Sequence, residues 1–110
     1  MNFNDYQQAA VSTAIYPESS RVTYTTLGLV GEAGEVAEKV KKIIRSGRSI
    51  SEMTDEEGLE IAKELGDVLW YAANLAEDLK INLTEVAAMN LLKLASRQSR
   101  GVIEGDGDNR

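Results

Sequence analysis

The sequence predicts an all-α protein, a four-helix bundle. Apolar residues recur at the spacing of a helix face through most of the chain, three segments open on a capping signature, and the segments are separated by helix breakers. No repeats, coiled-coil heptads or low-complexity tracts interrupt this pattern.

The first helix is expected over about residues 4–15, with Asn4 and Gln7 as its capping box, Tyr6, Ala9, Ala10 and Ala14 on its apolar face, and Pro17 as its stop. The second is expected over 24–46, with Leu29, Ala33, Val36, Val40, Ile43 and Ile44 inward and Ser46-Gly47 as the terminator. The third, over 55–79, opens on Thr54 and Glu57 and carries a broad stripe from Ile61 through Leu65, Val68, Leu69, Ala72, Leu75 and Ala76 to Leu79. The fourth, over 83–98, opens on Asn82 and Glu85 and turns Val86, Met89, Leu91, Leu92, Leu94 and Ala95 inward. Residues 100–110 contain three glycines and no helical period, so they read as a tail or a ligand-ordered loop.

Composition narrows the chemistry. At 110 residues and 43% hydrophobic, the chain is expected to form one domain, small enough that assembly with further copies can add to its core. A net charge of −6 argues against a protein that coats a nucleic acid polymer. No cysteine and no histidine are present, which excludes disulfides, thiolate metal sites and nucleophile systems built on histidine. Carboxylates must carry whatever chemistry exists. The first 16 residues lack a basic start leading into an apolar run, and no 18-residue apolar stretch occurs, so a cytoplasmic protein with no membrane association is expected.

Two acidic pairs stand out. Glu32 with Glu35, and Glu64 with Asp67, fall on the second and third helices, with 28 residues between Glu35 and Glu64. A three-residue step separates side chains by about 60° around a helix, so two adjacent helices can aim four carboxylates at one point. Glu32 and Glu64 border the apolar faces, and neither has a Lys or Arg three or four residues away. A hard divalent cation would relieve the repulsion and desolvation of such a group. Surface pairing is the plainer alternative, because Glu35 stands four residues before Lys39 and Asp67 four after Lys63. Glu38 projects furthest towards solvent. Tyr71 and Asn74 continue the line of Asp67, and both Tyr71 and Trp70 suit a core or a subunit interface. Gly28, Gly31 and Gly34 suggest close helix packing or room for a ligand.

Asn90, Lys93 and Arg97 share one face of the fourth helix, and Arg100 continues it. This basic stripe suits phosphate oxygens, although it also suits the helix C-terminus.

Taken together, the segments Gly31-Glu-Ala-Gly-Glu-Val-Ala-Glu38, Lys63-Glu-Leu-Gly-Asp-Val-Leu-Trp-Tyr71, Asn90-Leu-Leu-Lys-Leu-Ala-Ser-Arg97 and Gly107-Asp-Asn-Arg110 resemble the MazG-like nucleotide pyrophosphohydrolases of the all-α NTP pyrophosphatase superfamily, over about residues 24–110. The resemblance implies a helical bundle assembled as a dimer or tetramer, binding Mg²⁺ and cleaving a nucleoside triphosphate to the monophosphate and pyrophosphate. It implies Glu32, Glu35, Glu64 and Asp67 as metal ligands, and Asn90, Lys93, Arg97, Arg100 and Arg110 as nucleotide contacts. Asn74, on the acidic line, joins the expected substrate contacts. Oxygen ligation favours Mg²⁺, with Mn²⁺ as a substitute, and Glu35 is expected to orient or deprotonate the attacking water. Three alternatives stay open: a non-catalytic nucleotide- or metal-binding regulator on the same bundle, a structural helical oligomer whose charge clusters only solubilise it and, within the superfamily, a phosphoribosyl-ATP pyrophosphohydrolase.

Overall fold

A computed structural model describes residues 1–110. It contains four α-helices and no strand: α1 (Phe3–Ser12), α2 (Thr23–Arg45), α3 (Asp55–Asp78) and α4 (Leu83–Arg100), with single 3-10 turns at Glu18–Ser20 and Ile50–Glu52. α2 and α3 form an antiparallel pair that makes the most extensive contact of the fold. The pair meets closely at Gly28, where an added Cβ would lie 2.0 Å from Cε1 of Tyr71, so the ring rests on bare α2 backbone. Gly31 and Gly34 face open space instead. Only the first of the three glycines is therefore required by packing.

α1 lies across α3 and joins it to the start of α4. The small core of Ala10, Ala73, Ala76 and Leu83 is flanked by Tyr6, Trp70 and Ile81. Gln7 is buried at the same junction. Its Nε2 donates to the Ala73 carbonyl (3.4 Å), the Ile81 carbonyl (3.2 Å) and Glu77 Oε2 (3.3 Å), and its Oε1 accepts from the Leu83 amide at 2.8 Å. Gln7 is thus a bond between three helices, and not the capping partner of Asn4. The cap is formed two residues earlier, by Asn2 and Asp5, with Asp5 N donating to Asn2 Oδ1 at 2.8 Å. Asn4 instead accepts from Thr84 Oγ1 at 2.9 Å. Moving the cap forward begins α1 at Phe3, and the helix ends at Ser12, before the 15th residue that spacing alone suggested.

The remaining caps form where the sequence places them. Thr54 and Glu57 close a reciprocal box on α3, and Asn82 accepts from the Glu85 amide at 2.9 Å. The start of α2 has no such signature. Val22 sits at φ 67°, ψ −54°, in a tight three-residue turn closed by Thr23 N donating to the Arg21 carbonyl at 2.8 Å. Asp78, at the far end of α3, secures it: its carboxylate accepts from Val22 N, Thr25 Oγ1 and Tyr16 OH, each at 2.9 Å. A negative charge at a helix N-terminus also favours the α2 dipole.

α4 departs most from the sequence pattern. Its apolar side does not enter this chain's core: Met89, Leu91 and Leu92 are 55%, 67% and 72% exposed. Ile44 of α2 is also exposed, as are Leu65 of α3 and Leu79, which caps its C-terminus. The bonds and core contacts that hold α4 to α1 and α3 gather at its first turn, around Leu83 and Thr84. The radius of gyration is 16.9 Å, against about 13 Å for a compact chain of this length.

Candidate active site

The antiparallel α2–α3 pair brings three of the four expected acids together. One carboxylate oxygen from each of Glu32, Glu64 and Asp67 lies within 4.8 Å of the other two. Glu32 comes from α2, and Glu64 and Asp67 from successive turns of α3. Around a Mg²⁺ ion with oxygens at 2.0–2.1 Å, neighbouring ligands stand about 3 Å apart and opposite ones about 4.2 Å. The observed spacing of up to 4.8 Å is of that scale, and the donor set is all carboxylate oxygen, so these residues fit a hard divalent cation.

The electrostatics agree with the geometry. Partial burial of Glu32 raises its carboxyl above the ordinary carboxylate range, and the nearby carboxylates of Asp67 and Glu64 raise it further. Neither of the local pairings that would neutralise the cluster is made. Lys39 turns away from Glu35 and reaches across to Glu64 Oε1 at 3.5 Å. Lys63 pairs with Glu60 at 2.8 Å and leaves Asp67 alone. Glu38 is committed to Lys41 at 2.9 Å, on the solvent side. Three acids therefore face one distant cation. Lys39 is a site residue that sequence reasoning placed only as a surface partner; its position seven residues after Glu32, on the same helix face, was the available signal.

Glu35 is exposed, one turn beyond Glu32, and makes no ion pair or side-chain hydrogen bond. It stands beside the trio and outside it. Tyr71 lies close enough for Glu32 and Asp67 to raise its phenol pKa, although the hydrogen bond with Tyr24 and burial act more strongly. Tyr24 in turn stacks on Tyr16 with ring centroids 4.8 Å apart. A broad groove further along the hairpin is lined by Lys39, Lys42, Thr54, Glu57 and Leu59 and by none of the three clustered acids. Charge, not concavity, marks the site.

Asn74 is not a surface contact. It is 1% exposed, and its amide nitrogen donates to the carbonyls of Trp70 (3.1 Å) and Ala10 (3.5 Å), because α1 covers this part of the acidic line. Asn90 is exposed on α4. Lys93 and Arg97 both bind Asp108, at 2.6 and 3.2 Å, while Arg100 donates to the Arg110 carbonyl at 2.7 Å. The Arg110 guanidinium, expected to meet a nucleotide, is spent on backbone: it donates to the carbonyls of Val102, Ile103 and Gly107 at 2.8, 2.8 and 2.6 Å. No ion pair or hydrogen bond joins this basic stripe to the acid trio of the same chain.

The chain is 49% identical, over 116 aligned positions that cover all of both chains, to the protein named Gene 37 protein from Mycobacterium phage L5. No solved structure matches. The model of the MazG nucleotide pyrophosphohydrolase domain matches residues 21–102, a span that contains Glu32, Glu64 and Asp67 and all of α2, α3 and α4. On that match and this all-helical architecture, the chain belongs to the MazG nucleotide pyrophosphohydrolase domain family.

Proposed function

We propose that this protein is a Mg²⁺-dependent nucleoside triphosphate pyrophosphohydrolase, acting on a ribo- or deoxyribonucleotide and releasing the monophosphate and pyrophosphate. The observation that carries the reading is the meeting of Glu32, Glu64 and Asp67 within 4.8 Å, with a single Lys at the edge. These residues would hold the ion, with Mn²⁺ as a substitute, and Glu35 completes the set from the next turn of α2. When bound, Mg²⁺ supplies charge that offsets the polyphosphate and acidifies water at the site. Glu35 is free of cationic partners and reachable from solvent, so it is the group that takes a proton from the water adding across the α–β anhydride. Asn90, Lys93, Arg97 and Arg100 bind phosphate oxygens, the arginines through forked hydrogen bonds. Asn74 and Arg110 act through packing and have no part in contacting substrate.

Assembly into a homo-oligomer belongs to this reading. The exposed leucines of α4 and the extended shape of the chain are the surface that further copies would cover. No helix is long and apolar enough to cross a membrane. The net charge of −6 suits a small nucleotide brought in with its cation better than a nucleic acid polymer.

Product identity tests the proposal. ³¹P NMR of a panel of NTPs and dNTPs with the protein and Mg²⁺ is expected to show monophosphate and pyrophosphate in equal amounts. Diphosphate with orthophosphate, or no product from any nucleotide, would contradict it.

A further inference from the structure

The C-terminal tail is fastened by the chain's own residues. Arg110 folds back over Gly105, where an added Cβ would lie 2.7 Å from Arg110 Cδ, and its three guanidinium nitrogens each find a backbone carbonyl within the tail. Gly101 and Gly107, at φ 70° and 82°, supply the reversals that bring the tail back along α4. This closed loop holds Asp108 against the helix. Its carboxylate bridges Lys93 and Arg97, and its backbone carbonyl also accepts from Arg97 Nη2.

The seat is built for more negative charge than it receives. Two cations face one carboxylate. The Arg97 side chain is 7% exposed while Asp108 is 76% exposed, so the arginine forms the floor of the seat and the aspartate enters from solvent. Arg97 Nε is buried and has no acceptor, which leaves an unsatisfied donor beside the occupied Nη2. A phosphate group offers several acceptor oxygens and a larger charge, and it can satisfy both the Nε and the second cation.

We propose that residues 105–110 are a built-in competitor, with Asp108 occupying an anion seat that a polyphosphate ligand must take from it. The proposal rests on the reading of Lys93 and Arg97 as phosphate contacts and adds a regulation of that same site. The tail keeps the seat filled and ordered, and sets a threshold of ligand concentration below which Lys93 and Arg97 stay closed. The Arg110 fastening keeps the displaced tail nearby, so it returns when the anion leaves.

Calorimetric titration of the full chain with inorganic tripolyphosphate, in EDTA, reads this directly. Asp108→Asn is expected to bind at least about fivefold more tightly than wild type and than Asp106→Asn, which makes the same charge change at a tail residue without an ion pair. Equal affinities, weaker binding by Asp108→Asn, or no binding by any of the three proteins would overturn it. Because the substitution can also loosen the tail, the wild-type chain is followed by ¹H–¹⁵N NMR. The Gly107 and Asp108 amide signals are expected to move as tripolyphosphate binds, and a tail that serves only as a helix brace would leave them in place. Neither readout uses turnover. A chain that binds and displaces its tail yet hydrolyses no nucleotide would sink the proposed function alone, and an active enzyme with an unmoved tail would sink this inference alone.

Discussion

Lys39 on α2 forms an ion pair across to Glu64 on α3 at 3.5 Å, leaving its own i−4 neighbour Glu35 without a cation. This lysine is the nearest internal substitute for a metal. Replacing it by Gln removes a competitor and leaves three carboxylates to repel one another. The metal-free Lys39→Gln protein is expected to melt lower, by up to about 1 kcal/mol of stability, and to gain more from Mg²⁺ than wild type does. Thermal denaturation across a Mg²⁺ series measures both. An ion bound at 100 times its Kd contributes about 2.7 kcal/mol. A Mg²⁺ response in Lys39→Gln equal to or smaller than that of wild type would place the ion elsewhere.

Glu35 stands beside the trio of Glu32, Glu64 and Asp67 and is assigned proton transfer in addition to its contact with the ion, so its loss should cost more in chemistry than in metal binding. Glu35→Gln is expected to lower the rate of pyrophosphate release by about 10²–10⁴-fold, with the helical circular dichroism spectrum unchanged. Retained turnover would remove Glu35 from proton transfer.

Gln7 tests the scaffold independently of the site. Gln7→Met keeps much of the volume but strands the Leu83 amide and the Ile81 carbonyl inside the α1–α3–α4 junction. A loss of about 1–3 kcal/mol in urea unfolding is expected, with an unchanged dependence on denaturant concentration. A loss of a few tenths would mean that water replaces these bonds.

Glu57 gives the fold an acid limit. The two-point bond from Arg48, at 2.7 and 2.6 Å, followed by the Thr54 amide, lowers its carboxyl to about 2. A depressed folded-state value stabilises the protein above the unfolded value of about 4.3, and the contribution disappears as pH falls through about 2. Wild-type stability is therefore expected to decline between those values, and Glu57→Gln to flatten that part of the profile. Parallel profiles for the two proteins would show that other carboxylates set the limit.

What the sequence made legible depended on how local each determinant was. The gathering of Glu32, Glu64 and Asp67 follows from helical spacing once α2 and α3 lie side by side, and the caps at Thr54 and Asn82 are decided within four residues. The Asn4–Gln7 cap failed because Asn2–Asp5 offers a similar pattern two residues away, and contacts 66 to 76 residues distant claim Gln7. Asn74 shares a helix line with Asp67, but α1 covers one end of that line and leaves the other open. α4 has the pattern of a core helix although its apolar side is exposed here, because periodicity shows that a face will be covered without saying by which chain. The pairing of Asp108 with Lys93 and Arg97 depends on a tail reversal at Gly101 that no periodicity encodes.

The central claim is that Glu32, Glu64 and Asp67 hold the divalent cation on which nucleotide cleavage depends. Initial rates of pyrophosphate release by wild type and Asp67→Asn, each in Mg²⁺ and in EDTA, test it most directly. Activity is expected only for wild type in Mg²⁺, with Asp67→Asn still folded and at background. Release that persists in EDTA, or in Asp67→Asn at the wild-type rate, would contradict the account.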